Sequence, residues 1–168
     1  MNSFLTKIVV LYCIALLSSC GIYSFTGASI SPEVKTVSVQ YFPNRASTIQ
    51  PTLSQVFTEK LKDYFIKQTN LNLINNGGDL DFNGQITKYE VKPIAILANE
   101  SASQNRLTIS VMVNFENAFD ENKNFEQQFS RYSDYPSSES LSSVEDGLIE
   151  QISNELAEDI FNKAVVNW

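Results

Sequence analysis

The chain has 168 residues, 43% of them hydrophobic and 18% charged, with a formal net charge of −7 and no histidine. That composition folds rather than staying disordered, and the length suits one domain able to bury a core without disulfide staples. The acidity argues against phosphate-backbone binding as the main task, and the missing imidazole removes His-containing zinc sites and every Ser-His-Asp or Cys-His arrangement, leaving carboxylate chemistry open.

The first 19 residues, "MNSFLTKIVVLYCIALLSS", carry one charge, Lys7, and an apolar core from Ile8 to Leu17. A core of about ten residues has the length of a signal-peptide h-region and falls short of the ~20 that span a bilayer. Leu17-Ser18-Ser19-Cys20 then matches a bacterial lipobox: an aliphatic residue, two small residues beside the cut, and a cysteine whose sulfur takes a diacylglycerol. Cys13 is a poorer candidate because bulky Tyr12 precedes it. If Cys13 leaves with the leader and Cys20 is lipidated, no thiol pair survives, and packing alone must hold the domain. Two or three acyl chains on Cys20 would make the membrane attachment permanent. Gly21 after the cysteine is compatible with the outer membrane, and no acidic cluster follows to mark surface export, so the periplasmic face is expected. The organisation read from this is a removed leader over 1–19, a lipidated tether over 20–33 whose Ile22, Tyr23 and Phe25 are too apolar for a free linker, and a single domain over 34–168.

From Val34 the pattern becomes strand-like, with Val37, Val39 and Tyr41 alternating against polar neighbours until "FPN" at 42–44. Over 52–68 the period changes: Leu53, Val56, Phe57, Leu61, Tyr64 and Phe65 form one helical face, with Pro51 suited to the first turn. "LNLI" at 71–74 is a candidate short strand and "NNGGD" at 75–79 a turn. Leu80, Phe82, Gly84 and Ile86 alternate, but Tyr89 and Val91 fall out of phase, which predicts a bulge near Thr87–Lys88. Pro93 either closes this strand or puts its end at an edge. Residues 93–105 form a long connection whose apolar start, Ile94, Ile96 and Leu97, either rejoins the fold or makes a contact surface at a hairpin tip. Leu107, Ile109, Val111, Val113 and Phe115 face one way in the clearest strand, followed by a hairpin turn at "AFDENKNF" and a strand over 125–133. Ser142 and Glu145 fit a capping box opening a last helix, whose apolar face runs from Leu141 and Val144 through Leu148, Ile149, Ile152, Leu156, Ile160 and Phe161 to Val165.

The expected fold is α+β: two helices packed on one face of a roughly four-stranded, mostly antiparallel sheet, in β-α-β-β-β-α order. The other sheet face is polar but scarcely charged, built of Thr, Ser, Asn and Gln around Met112. Gly-rich phosphate loops, nucleophile elbows and CxxC pairs are missing from the sequence, so no metal, cofactor or catalytic residue is expected. Asp79 and Asp81 read as turn and strand-edge acids, and "RYSDY" at 131–135 as aromatic packing beside a strand end rather than a sugar platform.

Four stretches, "CGIYSFTGASISPEVKTVSVQYFPN", "NGQITKYEVKPIAI", "QNRLTISVMVNF" and "SSVEDGLIEQISNELAEDIFNKAVVNW", resemble the LptE-like lipopolysaccharide-assembly lipoproteins of the Bacteroidetes type, over nearly the whole mature length. The resemblance implies a non-enzymatic outer-membrane lipoprotein that partners an LptD-type β-barrel, plugs its lumen and helps deliver lipopolysaccharide to the outer leaflet. It also implies basic residues near a strand-loop edge as lipopolysaccharide contacts. Lys88, Lys92 and Arg106, flanking the 93–105 connection, are the candidates, with Ile94, Ile96 and Leu97 as apolar contacts to lipid or barrel. A periplasmic scaffold lipoprotein with another partner is the alternative.

Overall fold

The computed structural model describes residues 30–94 and 103–166. Cys20, the tether residues Ile22, Tyr23 and Phe25, and the contact candidates Ile96 and Leu97 lie outside the described residues. In chain order the elements are β1 (Thr36–Val39), α1 (Leu53–Gln68), β2 (Asn72–Ile74), β3 (Leu80–Ile94), β4 (Gln104–Asn117), a 3-10 turn at Glu121–Lys123, β5 (Phe125–Pro136) and α2 (Leu141–Val165). They build one sheet in the order β2-β1-β3-β4-β5, with α1 and α2 packed together on one face.

The sheet therefore has five strands rather than about four, and it is mixed: β1 runs parallel to both β2 and β3, while β3, β4 and β5 are antiparallel. Helix α1 is the crossover that a parallel β1–β2 pair demands. The return from β2 to β3 takes only residues 75–79, because β2 is three residues long and the chain need only step across β1. It does so on the face away from the helices: Gly78 N–H donates to Ser38 Oγ (2.8 Å), and Ser38 is fully buried although it points away from the core. A Cβ on Gly78 would stand 2.5 Å from Ser38 N and 2.8 Å from the Val37 carbonyl carbon, so the crossing requires glycine there.

Asp79 locks this crossing. Its carboxylate accepts from Lys35 N–H (2.8 Å) and Thr36 N–H (2.9 Å), while its own N–H donates to Thr36 Oγ1 (2.9 Å). Those two backbone donors hold its carboxyl below the usual carboxylate range. A carboxyl whose folded value is depressed contributes stability above its unfolded value, and that contribution is lost as pH falls through the folded value. Asp79→Asn is accordingly expected to lower the urea midpoint at neutral pH and to leave it little changed in acid, as a denaturation series across pH would read.

The core is a stack of aromatic and aliphatic side chains between sheet and helices. Phe82 sits 4.8 Å from Phe65 of α1 and 4.7 Å from Phe115 of β4, and Phe65 in turn lies 5.1 Å from Phe161 of α2. The five apolar residues alternating along β4, Leu107 to Phe115, are all fully buried, as their period requires. In α1 the buried set is Leu53, Phe57, Leu61 and Phe65 together with Ser54 and Thr58; the Thr58 hydroxyl donates to Ser54 O (2.7 Å) and accepts from Phe42 N–H (3.1 Å).

Two sequence expectations about helix ends are corrected. Pro51 precedes α1 instead of lying in its first turn, and the capping acceptor is Gln50, whose Oε1 takes Thr52 N–H (2.7 Å) and Leu53 N–H (2.8 Å). The Ser142/Glu145 capping box does not form. Helix α2 starts at Leu141 behind Ser140, so Ser142 is already helical, and Glu145 accepts a hydrogen bond from the buried Tyr89 hydroxyl instead. The pairing places a carboxylate beside a phenol shielded from water, and burial first, then that bond, pushes the Tyr89 hydroxyl well above its ordinary value.

Candidate functional site: the open face of the sheet

The bulge sits where the phase slip predicts it. Ile86 pairs with Val111 and Lys88 with Ser110, which leaves Thr87 as the extra residue. Below it, Leu80, Phe82 and Ile86 point to the helices; above it, Tyr89 does. The slip therefore puts Lys88, Glu90 and Lys92 together on the open face. Pro93 pairs with Asn105 inside the strand and does not end it: among the described residues this stretch of β3 has no neighbour on its other side, so the missing N–H costs no ladder bond there. Ile94 is registered with Gln104, half-buried, and shares the face of Lys92 by alternation.

Register brings the three basic candidates together. Lys92 stands opposite Arg106, and Arg106 opposite Asp134 of β5; Glu90, Thr108 and Tyr132 form the next row, and Lys88, Ser110 and Ser130 the row after. None of the three cations is left without a carboxylate. Glu90 is shared by Lys92 (2.9 Å) and Lys88 (3.2 Å), and Arg106 makes a two-pronged contact to Asp134, Nε–Oδ1 2.7 Å and Nη2–Oδ2 2.9 Å. The guanidinium also lies 3.6 Å from the centroid of the exposed Tyr132 ring. Hydrogen bonds from Lys92 and Lys88 hold the Glu90 carboxyl below its ordinary range, and Arg106 does the same for Asp134. Stacked and forked in this way, Arg106 has one orientation, whereas the two lysines are point charges on mobile stems. The patch carries three positive and two negative charges in a chain that is acidic overall.

Away from the hairpin end, the same face turns neutral and then acidic. Gln40, Tyr41, Asn83, Gln85, Met112, Asn114 and Glu126 line a shallow dish, and Asp81 and Glu116 close the far row. Asp81 accepts from the Ser38 hydroxyl and from Gln40 Nε2 (3.1 Å), so neither Asp79 nor Asp81 is held as a free acid. The opposite, helical surface is acidic and partly tied down: Lys60 meets Glu150 (2.6 Å), and Arg131 meets Asp159 in a fork of 2.5 and 2.6 Å. Within "RYSDY", the aromatic-packing expectation holds for Tyr135, which is buried, while Tyr132 is half exposed beneath Arg106.

Glu90 and Asp134 as counter-ions, and Tyr132 as the stacking partner of Arg106, are not among the roles the sequence reading assigns. Glu90 could have been found, because the predicted bulge already aligns it with Lys88 and Lys92. Asp134 and Tyr132 could not, because they reach Arg106 only through the β4–β5 register.

The model for the family described as "LptE: Lipopolysaccharide-assembly" matches residues 34–164, the whole sheet and all but the end of α2. The chain belongs to the LptE family. No curated protein matches it by sequence. Among solved structures it is similar to a hypothetical protein of Chlamydia trachomatis, with a TM-score of 0.52 at 12% identity over 79% of this chain and 99% of that one, a likeness of fold. A minor lipoprotein of Acinetobacter baumannii matches 73% of this chain and 91% of its own with a TM-score of 0.48 at 14% identity. Lipoprotein B of Nitrosomonas europaea matches 76% and 80% with a TM-score of 0.48 at 12% identity. Membership makes this a lipopolysaccharide-assembly lipoprotein with an LptE-type α+β domain. Among the described residues, no helix is long and apolar enough to cross a membrane.

Proposed function

We propose that this LptE-family protein is held at the periplasmic face of the outer membrane through lipid on Cys20, where it partners and plugs an LptD-type β-barrel in lipopolysaccharide transport, acting by contact and not by catalysis. The family match over 34–164 carries the reading. The open sheet face supports it. The lumen of an outer-membrane barrel is polar. A face of amides and already paired charges can enter it without stranding an unpaired ion, which is the costly outcome on burial. The Cys20 anchor is tested by mass spectrometry of the mature N-terminus: a diacylglyceryl-modified, acylated cysteine is expected, and an unmodified thiol contradicts it.

The basic patch gives the barrel partner a second task, contact with lipopolysaccharide phosphates through Lys88, Lys92 and Arg106, with Ile94 beside them. Ile96 and Leu97 follow directly in sequence and join the proposal on that ground alone. In the free protein Glu90 occupies the lysines. Glu90→Gln is expected to raise lipopolysaccharide capture about two- to fivefold, the scale of one surface ion pair, and Lys92→Gln to lower it by a similar factor. Both effects should fade at high salt. Capture unchanged in both variants removes the patch from the account while leaving the barrel partnership standing. Depletion of the protein in cells tests the whole reading: surface lipopolysaccharide is expected to fall, and an unchanged level favours a scaffold role with another partner.

A further inference from the structure

Two Asn-Gly pairs lie in the described chain, Asn76–Gly77 and Asn83–Gly84, and the fold treats them in opposite ways. Asn76 and Gly77 are both exposed, at the crossing between β2 and β3, and Gly77 has φ +67° with no described residue within 4 Å of where its Cβ would be. Among the described residues, the Gly77 N–H donates no hydrogen bond. Asn83 and Gly84 lie within the fifteen-residue β3, registered with Asn114 and Val113. Asn83 Oδ1 accepts from Asn114 Nδ2 (3.4 Å), and the site of a Gly84 Cβ is 2.0 Å from Met112 O and 2.7 Å from the Phe42 ring, so that pair has no room to turn.

We propose that Asn76 is a self-modifying site, converted by intramolecular deamidation to a mixture of aspartate and isoaspartate, and that Asn83 is protected by the sheet. The Gly77 backbone nitrogen, after losing its proton to solvent base, attacks Asn76 Cγ. The new Cγ–N bond closes a succinimide, and the Cγ–Nδ2 bond breaks as the side-chain nitrogen leaves with a proton as ammonia. Water then adds to either ring carbonyl and breaks its bond to nitrogen, giving aspartate or isoaspartate with no change of oxidation state. Glycine permits this because no Cβ hinders the nitrogen, and an exposed turn permits the chain rotation that a paired strand forbids. The product adds a carboxylate three residues before Asp79, whose own carboxylate already holds the Lys35 and Thr36 amides, and isoaspartate adds a methylene to a crossing that Gly78 fits closely against β1.

The test is timed incubation of the purified full chain in mildly alkaline buffer, with peptide mass spectrometry at both sites and isoaspartyl methyltransferase labelling. In the folded protein Asn76 is expected to convert roughly tenfold or more faster than Asn83, the minimum scale of protection by a stable strand. In urea the two rates should approach each other. Folded-state rates that are equal, or faster at Asn83, overturn the proposal. So does an unmodified Asn76 in folded protein under conditions that convert it in urea.

Discussion

Phe82→Ala is expected to cost about 4 kcal/mol of folding stability, within the range for removing a large aromatic from a closed core. Phe82 is fully buried and touches both layers, Phe65 from α1 and Phe115 from β4, so the cavity opens where sheet and helix meet. Nothing beside it can collapse inward without moving a strand, because β3 at this point is held by β1 on one side and β4 on the other. Equilibrium urea unfolding reads the loss directly as a lower midpoint with an unchanged slope. Phe82→Leu, which keeps most of the volume, should recover more than half of it. A Phe82→Ala loss below about 1 kcal/mol would mean that the stack is not the core, since surface substitutions sit in that range.

Gly84→Ala is expected to destabilise by about 3 kcal/mol, at the upper end of what overpacking costs. The added methyl would meet a backbone oxygen of β4 at 2.0 Å and the fully buried Phe42 ring at 2.7 Å. Neither can give way cheaply, because one is sheet backbone and Phe42 is wedged edge-on against Phe57, 5.1 Å away. Gly147→Ala is the internal comparison. That glycine lies within α2 with no described residue within 4 Å of its Cβ position, so alanine there should stabilise by about 1 kcal/mol through helix propensity. Thermal melts of the two variants should move in opposite directions. Gly84 also lies among the side chains of the open-face dish, so the fold and the face it presents are fixed at the same place.

Period alone carried most of this architecture. The switch from two to 3.6 along the chain located β1, α1, β4 and α2, and the slip between Ile86 and Tyr89 located the bulge that aligns Lys88 with Lys92. Strand order was not legible in the same way. A parallel β2 of three exposed residues has no buried face to advertise itself, and its place beside β1 follows from a glycine crossing that sequence shows only as a turn. The caps of the two helices differ from the sequence expectation because serine, glutamate and proline signals are local, whereas the observed partners, Gln50 for α1 and Tyr89 for Glu145, depend on where neighbouring segments land. At the candidate site, sequence supplied the three cations and a family resemblance supplied their expected role. It could not supply the carboxylates that occupy them, because Arg106 and Asp134 are 28 residues apart and meet only across the sheet.

The proposed partnership with a barrel of the LptD type is tested most directly by affinity purification of the intact lipoprotein from native outer membranes in mild detergent. An LptD-type barrel recovered in equal amount with the lipoprotein is the predicted result. Recovery of the lipoprotein alone, as a monomer without a barrel, would contradict it.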